Sequence, residues 1–188
     1  VRFTRDECFD LPDTVIQSRK VDLTPEQKKY YKKMLDTFVV EMAAHRTGAV
    51  QITAVNEAVK LQKLVQIACG VVYDGNGNEV EVDCSPRIQV VKEIIEQAGG
   101  KVILFVPLTG TLKMLERELS KDYTCAVVNG GVSATKRNIA FNDFQNSKDP
   151  QILIAHPATM AHGLTLTAAS TIIWYGPITS NEQYVQAN

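Results

Sequence analysis

Residues 152–188 read ILIAHPATMAHGLTLTAASTIIWYGPITSNEQYVQAN. The pattern predicts a buried strand, a loop that carries histidine and glycine, a second buried strand and the start of a helix. In a parallel sheet, this order places backbone N–H groups and small polar side chains at the carboxyl ends of the strands. Open α/β sheets bind their ligands at that edge, so this stretch predicts both the fold and the position of a site.

The preceding residues extend the same pattern. The run KVILFV at 101–106 is continuously apolar, which is typical of a strand covered on both faces. Further strands are predicted at 125–128, 151–155 and 171–175, and helices at about 85–98, 109–120 and 133–144. Alternating helices and strands favour an α/β fold, with a parallel sheet flanked by helices and joined by right-handed crossovers.

The N-terminal part follows another pattern. A loosely alternating strand is predicted at 14–23, and Thr24-Pro25-Glu26-Gln27 predicts a capped helix to about residue 44, followed by a helix over about 53–69. Two alternating runs flank the Gly/Asn-rich turn at 74–78, which predicts a β-hairpin over 71–82. We therefore expect a helical and hairpin bridging segment at 1–84 and an α/β lobe at 85–188. The expected apolar faces are Tyr31, Leu35, Phe38 and Met42 on the first helix and Leu61, Leu64, Val65 and Ala68 on the second.

Composition limits the classes of function. The formal net charge of −1 indicates that any nucleic-acid binding must come from a local face. The four cysteines form no CxxC pair, so no metal site is expected, and free thiols fit a cytoplasmic protein. No run of 18 apolar residues occurs, so no membrane partner is expected. The first residue is Val1 rather than Met, and we expect the chain to be cut from a longer protein.

Two loops could hold a phosphate at a helix N-terminus. Thr109 either caps the helix that follows the KVILFV strand or contacts a phosphate there. In the second loop, Gly130 and Gly131 allow close backbone approach, and Ser133 is the predicted cap. Lys136 lies in the first helical turn with Arg137, where basic side chains oppose the helix dipole unless an anion is bound.

Other residues leave two interpretations open. His156 and His162 lie six residues apart without a third ligand nearby, so hydrogen bonding or packing is preferred to metal binding. The lysines at 28, 29, 32 and 33 form either a solvated helix face or a phosphate contact. The aromatic residues Tyr30, Tyr31 and Trp174 either stack on bases or pack in the core.

In order, the motifs resemble the second, C-terminal RecA-like lobe of superfamily-two helicases, within the Swi/Snf-like class. VILFVPLTGTLKMLERELS resembles the fourth motif of that family, and AHGLTLTAASTIIWYGP resembles the fifth, GGxGLNLTxAxxVI. VVNGGVSATKRNIAFNDFQ is similar to a segment between them, and DLTPEQKKYYKKM to the LTPxQxxxY segment before the lobe. The HPA spelling, the IIWYG strand and EQYVQAN are most similar to phage and prophage versions. The hairpin near 71–82 lies outside the resemblance.

The resemblance implies a RecA-like, P-loop NTPase-like fold and a shared ATP site. ATP and Mg²⁺ would be bound mainly by an absent first lobe, since this sequence contains neither a Walker A motif nor a DExx box. DNA would cross both lobes through phosphate contacts that carry no sequence information. The implied DNA-contacting residues are Thr109, Gly110, Gly130, Ser133, Lys136, His156 and Thr159. The implied nucleotide-coupling residues are Gly163, Thr165 and Gln186.

The sequence departs from the family in three places. His156-Pro157 replaces the usual Ser-Thr pair, and Thr165 replaces an Asn. The family continues with QxxxRxxRxGQ, whereas this sequence stops at Asn188. We therefore expect the arginine finger to be missing and the fragment to be inactive alone, with no catalytic residue of its own. The alternatives are a non-catalytic nucleic-acid or protein-binding module with a RecA-like fold, and a Rossmann-like nucleotide-dependent enzyme, which the absence of GxGxxG disfavours.

Overall fold

The computed structural model of the chain describes residues 14–44, 48–160, 166–178 and 180–187. The helices are α1 (Pro25–Thr37), α2 (Glu57–Cys69), α3 (Ser85–Ala98), α4 (Thr109–Leu119), α5 (Ala134–Asn146) and α6 (Asn181–Ala187), and a 3₁₀ turn covers Pro157–Thr159. The strands are β1 (Val39–Ala44), β2 (Gly48–Thr53), β3 (Val71–Tyr73), β4 (Glu79–Glu81), β5 (Lys101–Phe105), β6 (Cys125–Val128), β7 (Ile152–Ala155) and β8 (Ala169–Trp174).

The central sheet has four strands in the order β6-β7-β5-β8, and each neighbouring pair is parallel. In the middle of the sheet, Leu104 of β5 lies opposite Ile154 of β7 and Ile173 of β8. The sequence-based prediction of a RecA-like parallel sheet flanked by helices is confirmed.

Alternate residues of each strand point to opposite faces of this sheet, and each face has its own apolar core. Val102 and Leu104 pack with Val91 of α3 and Leu115 of α4 on one face. Ile103 and Phe105 pack with Phe144 of α5 on the other face. All strand residues of β7 are buried, which explains why that strand is continuously apolar in sequence.

The first helix is shorter than predicted. It ends at Thr37 because Phe38 adopts a left-handed conformation with φ 61°, and Val39 then begins a strand. The resulting β1–β2 hairpin, residues 39–53, was missed by the sequence-based prediction. The predicted strand at 14–23 was also wrong, because residues 14–24 form no regular element in the structure. Too few of the alternating residues at 14–23 are apolar to favour pairing with another strand.

The predicted apolar helix faces were partly wrong. The inward face of α1 is formed by Gln27, Tyr30 and Met34, whereas Leu35 is 48% exposed. On α2, Leu64 and Ile67 are buried, whereas Leu61 is 63% exposed. The buried face of α1 differs from the predicted one because the N-terminal cap fixes the helix. The helix also ends seven residues before the predicted end, so Phe38 and Met42 do not belong to it.

The predicted capping box of α1 is confirmed and also anchors the helix to its neighbours. The Thr24 hydroxyl accepts a hydrogen bond from the Gln27 N–H, and the Gln27 side chain accepts from the Thr24 N–H. Thr24 also donates to the Asp83 carbonyl at 3.0 Å, and Gln27 donates to the Ile67 carbonyl at 2.8 Å. A cap therefore fixes α1 against both α2 and the start of the α/β lobe.

The predicted hairpin at 71–82 is confirmed, with β3 and β4 antiparallel and Gly77 at φ 82° in the turn. The hairpin contributes to two cores: Val71 packs against the central sheet, whereas Val72 and Val80 pack with α1 and α2. The division into segments 1–84 and 85–188 stays a prediction. None of the helices in the described ranges is both long enough and apolar enough to span a bilayer.

Candidate functional site

The loops that follow the four parallel strands lie side by side at one edge of the sheet. The strand order places the loop at 129–133 beside 156–160, then 106–108, then 175–178. Backbone bonds just beyond the strands fix this row: His156 donates to the Val128 carbonyl at 2.9 Å, and Tyr175 donates to the Phe105 carbonyl at 3.0 Å. We refer to this row of loops as the carboxyl edge.

The loop after β6 forms the N-terminus of α5. The Asn129 carboxamide accepts a hydrogen bond from the Gly131 N–H at 2.9 Å. Ser133 is the N-cap, as predicted, and its hydroxyl oxygen accepts from the Lys136 N–H at 3.4 Å. The side chains of Ser133 and Lys136 are exposed. The loop therefore presents a hydroxyl and an ammonium group at the positive end of a helix.

The loop after β7 lies directly beside it. The His156 Nδ1 atom accepts from the Ala158 N–H at 3.3 Å, so the neutral ring carries its proton on Nε2. The Thr159 hydroxyl donates to the His156 carbonyl at 2.6 Å and lies 3.4 Å from the Val128 carbonyl. Because a hydroxyl has one hydrogen, Thr159 cannot donate to an outside ligand while it keeps this bond.

The loop after β5 differs from its predicted arrangement. Leu108, not Thr109, is the N-cap of α4, and no side chain caps that helix, so the capping role predicted for Thr109 was wrong. Thr109 is the first helical residue and is exposed. The Gly110 N–H donates to the Tyr73 hydroxyl at 2.6 Å, so it would have to leave Tyr73 to bind a phosphate. A DNA contact by Gly110 stays a prediction.

Tyr73 belongs to a row of contacts that clamps the hairpin along α4. Lys113 pairs with Glu79 at 2.8 Å, and Arg117 binds Glu81 through two hydrogen bonds of 2.7 and 2.8 Å. The hydrogen bonds that Arg117 donates to the Glu81 carboxylate raise the pKa of Arg117. Sequence analysis missed this clamp. Its only sequence signal is the helical spacing of Gly110, Lys113 and Arg117 opposite the alternating residues of the hairpin.

The loop after β8 borders an open pocket of about 320 Å³, lined by Trp174, Gly176, Pro177, Ile178, Ser180, Asn181 and Tyr184. The Trp174 ring packs between Phe105 and Tyr184, at centroid distances of 4.6 and 4.9 Å. Packing is therefore the observed role of Trp174. Tyr30 is 7% exposed, and Tyr31 packs against the same core, so these tyrosines also pack.

Arg87 fixes the base of this loop from α3. Its guanidinium donates to the Tyr175 carbonyl and to the Ala68 carbonyl, and it lies 4.7 Å from the centre of the Tyr175 ring. Burial raises the pKa of Tyr175, and the adjacent Cys84 adds to that effect. Sequence analysis did not identify Arg87 because its partners lie 19 and 88 residues away.

The predicted nucleotide-coupling residues are only partly covered by the structure. Gln186 lies on α6, but its side chain is outside the described part. Gly163 and Thr165 lie outside the described residues, as does His162. Within the described ranges, no group of three or more His, Cys, Asp or Glu side chains is placed to hold a metal ion.

Comparison with known families agrees with this arrangement. Residues 86–188, more than half of the chain, match the family described as "Helicase conserved C-terminal domain". The chain belongs to this helicase C-terminal domain family.

Relatives with curated descriptions include both phage and cellular proteins. The chain is 28% identical over 182 residues to the putative protein p41 of Acyrthosiphon pisum secondary endosymbiont phage 1, covering 96% of this chain and 36% of that protein. It is 25% identical over 180 residues to an uncharacterised ATP-dependent helicase of Mycoplasma genitalium, covering 92% of this chain and 17% of that protein. The chain therefore spans about a third or less of the length of these relatives.

Solved structures show the same fold. The C-terminal domain of the Sulfolobus solfataricus SWI2/SNF2 ATPase superimposes with a TM-score of 0.57 at 23% identity, covering 82% of this chain and 68% of that one. The core domain of the same enzyme gives a TM-score of 0.64 at 19% identity, covering 98% of this chain and 39% of that one. The resemblance to a C-terminal helicase lobe with Swi/Snf-like neighbours, and to a phage relative, is confirmed.

Proposed function

We propose that this helicase domain is the second lobe of an ATP-dependent DNA translocase of the Swi/Snf-like class. The observation that carries the proposal is that Ser133 and Lys136 lie at the start of α5, while His156 lies in the adjacent loop of the carboxyl edge. All three are accessible, and two of them lie at the N-terminus of a 13-residue helix. These groups are hydrogen-bond donors or positive charges, which is the chemistry that binds phosphate.

Each of the three residues contributes a different kind of contact. The Ser133 oxygen accepts from the backbone, which leaves its own hydrogen available for a phosphate oxygen. Lys136 supplies a point charge. The Nε2–H group of His156 can donate to a phosphate oxygen. Gly130 leaves open space, since no atom lies within 4 Å of where its Cβ would be, so a DNA backbone can approach closely.

The remaining predicted contacts differ in how readily they can form. Thr109 is exposed at the start of α4, and we propose that its hydroxyl binds phosphate directly. The hydrogens of Gly110 and Thr159 are already donated within the chain. Contacts from these two residues would therefore need those internal bonds to open. None of the proposed contacts reads a base edge, so binding would be independent of sequence.

We assign ATP and Mg²⁺ mainly to a first lobe that carries the Walker A and DExx motifs, because this sequence has neither. When bound there, ATP would be hydrolysed, and hydrolysis would switch the two lobes between closed and open states. Gly163, Thr165 and Gln186 remain the proposed coupling residues. The domain alone is proposed to be inactive as an ATPase, and its free thiols at Cys69, Cys84 and Cys125 suit a cytoplasmic protein.

The DNA contact can be tested on the 188-residue chain itself. Binding to a fluorescent DNA duplex would be followed by anisotropy over a range of salt concentrations. For Lys136→Gln we expect weaker binding to every sequence and a salt dependence shallower by about one unit. Lys148→Gln is the matched control, because Lys148 is also exposed but follows α5 at the opposite end. Identical salt dependence for the two variants would contradict the proposed role of Lys136.

The alternative is a non-catalytic binding module that keeps the same fold. An assay of ATP hydrolysis with and without DNA distinguishes the two functions, using a longer protein that carries this domain and a Walker A lobe. A motor hydrolyses ATP faster on DNA, whereas a non-catalytic module binds DNA or protein without any hydrolysis.

A further inference from the structure

A strongly basic surface lies on α1, which is not one of the loops of the carboxyl edge. Lys28, Lys29, Lys32 and Lys33 are all exposed and lie within six residues of one helix. The buried residues of the same helix, Gln27, Tyr30 and Met34, define its opposite face. We call the four lysines the basic ridge. It concentrates four positive charges in a chain whose formal net charge is −1.

The basic ridge is held on a rigid support. Met34 is fully buried against α2 and the β1–β2 hairpin, and Gln27 donates to the Ile67 carbonyl at 2.8 Å. The capping interaction of Thr24 fixes the start of the helix at the lobe. The charges are therefore presented at a fixed position relative to the domain.

The charges of the basic ridge are hardly neutralised by the chain. Lys28 lies 3.9 Å from Asp22, and both side chains are largely exposed, so this pair is weak. The other three lysines make no ion pair with any residue in the described ranges. Lys28 with Lys32 and Lys29 with Lys33 are like charges at i,i+4, which destabilise a helix. The basic ridge therefore does not stabilise the fold.

We propose that the basic ridge binds the phosphate backbone of duplex DNA. Lysine clusters attract polyanions, whereas the ridge offers no fully exposed aromatic ring for stacking on an unpaired base, since Tyr30 is buried and Tyr31 is half-buried against the core. The ridge spans about 7.5 Å along α1, or about two base-pair steps of 3.4 Å. A duplex aligned with α1 would carry two to three phosphates of one strand over this length of its axis.

This inference rests on the proposed DNA binding and adds a second contact outside the carboxyl edge. The test compares the full chain with the Lys29→Gln/Lys33→Gln variant in duplex-binding titrations at several salt concentrations. The matched control is Lys121→Gln/Lys148→Gln, which changes the net charge equally at exposed positions outside α1. We expect the ridge variant to lower the salt dependence by about one to two units and the control to lower it much less.

The quadruple variant, with all four ridge lysines changed to Gln, should lower the salt dependence by about two to three units. Its thermal midpoint should equal or exceed that of the unaltered chain, because like charges have been removed. A quadruple variant that fails to fold leaves the double variants as the test.

Binding of the same variants to single-stranded DNA and to anionic vesicles is measured in parallel. Equal effects of the ridge and control variants on duplex binding would overturn the inference. So would a ridge variant that loses binding only to single-stranded DNA or only to the vesicles. If Lys136→Gln weakens binding and the ridge variants do not, only the ridge assignment fails. If the unaltered chain binds no DNA, both proposals fail.

Discussion

Gly110→Ala tests the clamp between the hairpin and α4. A Cβ atom at this position would lie 2.8 Å from the Tyr73 hydroxyl and 2.8 Å from Val71 Cγ1. Both distances are shorter than real Cβ contacts allow, and Val71 is 1% exposed, so it cannot move aside easily. The methyl group must therefore push the hairpin away from the helix.

Three contributions determine the change in the free energy of unfolding. Overpacking typically costs about 1–3 kcal/mol, and loss of the hydrogen bond between Gly110 and Tyr73 adds about 0.5–1.5 kcal/mol. Replacing glycine by alanine within a helix returns about 0.5–1 kcal/mol through backbone entropy. We therefore expect Gly110→Ala to lower the free energy of unfolding by about 1–3 kcal/mol.

Urea denaturation followed by Trp174 fluorescence and circular dichroism measures this change. Gly130→Ala is the control, because its Cβ would meet no atom within 4 Å, and we expect a change of at most about 0.5 kcal/mol. Tyr73→Phe alone should cost about 1–3 kcal/mol by leaving a buried N–H without a partner. Combined with Gly110→Ala it should cost less than the sum, because one hydrogen bond is lost only once. An unchanged or increased stability for Gly110→Ala would refute the clamp.

Three further variants test the cap, the core and a buried thiol. Thr24→Ala should cost about 1–2 kcal/mol in urea denaturation, because it removes the α1 cap and the bond to Asp83; an unchanged midpoint would argue against the cap. Phe144→Ala should cost about 3–5 kcal/mol, since Phe144 is fully buried under the sheet, and a loss below 1 kcal/mol would show that this face is loosely packed. Burial raises the pKa of Cys84 to about 11, against about 8.5 in the unfolded chain. The protonated Cys84 thiol therefore contributes its full stabilisation below about pH 8.5, and this contribution is lost as the pH rises through 11. Stability should fall by about 1–2 kcal/mol between pH 8 and 10, and Cys84→Ala should reduce that fall.

The sequence predicted the α/β lobe because its signals are local. Residues 102–106 of the KVILFV run and the buried strand at 152–155 are apolar at every position, which is typical of a sheet covered on both faces. The β1–β2 hairpin was missed because Leu35, Phe38 and Met42 continue a helical spacing. The left-handed conformation of Phe38, which ends α1, has no glycine to signal it.

The positions of the loops that carry the candidate site were predicted, but the hydrogen bonds within those loops were not. The loops could be located because a site at the carboxyl edge needs only the strand ends to be known. Gly110 and Thr159 donate their hydrogens to other residues of the chain, and the positions of the strand ends do not predict these bonds. Gly110 bonds to Tyr73, 37 residues away, across a hairpin whose docking depends on tertiary packing.

The central claim is that the carboxyl edge is one half of a site completed by a neighbouring lobe. The most direct measurement is ATP hydrolysis by a longer protein that joins this domain to a lobe with Walker A and DExx motifs. We expect duplex DNA to accelerate hydrolysis, and we expect the change of both Ser133 and Lys136 to Ala to weaken this acceleration. Hydrolysis that is absent, or is the same with and without DNA, would contradict it.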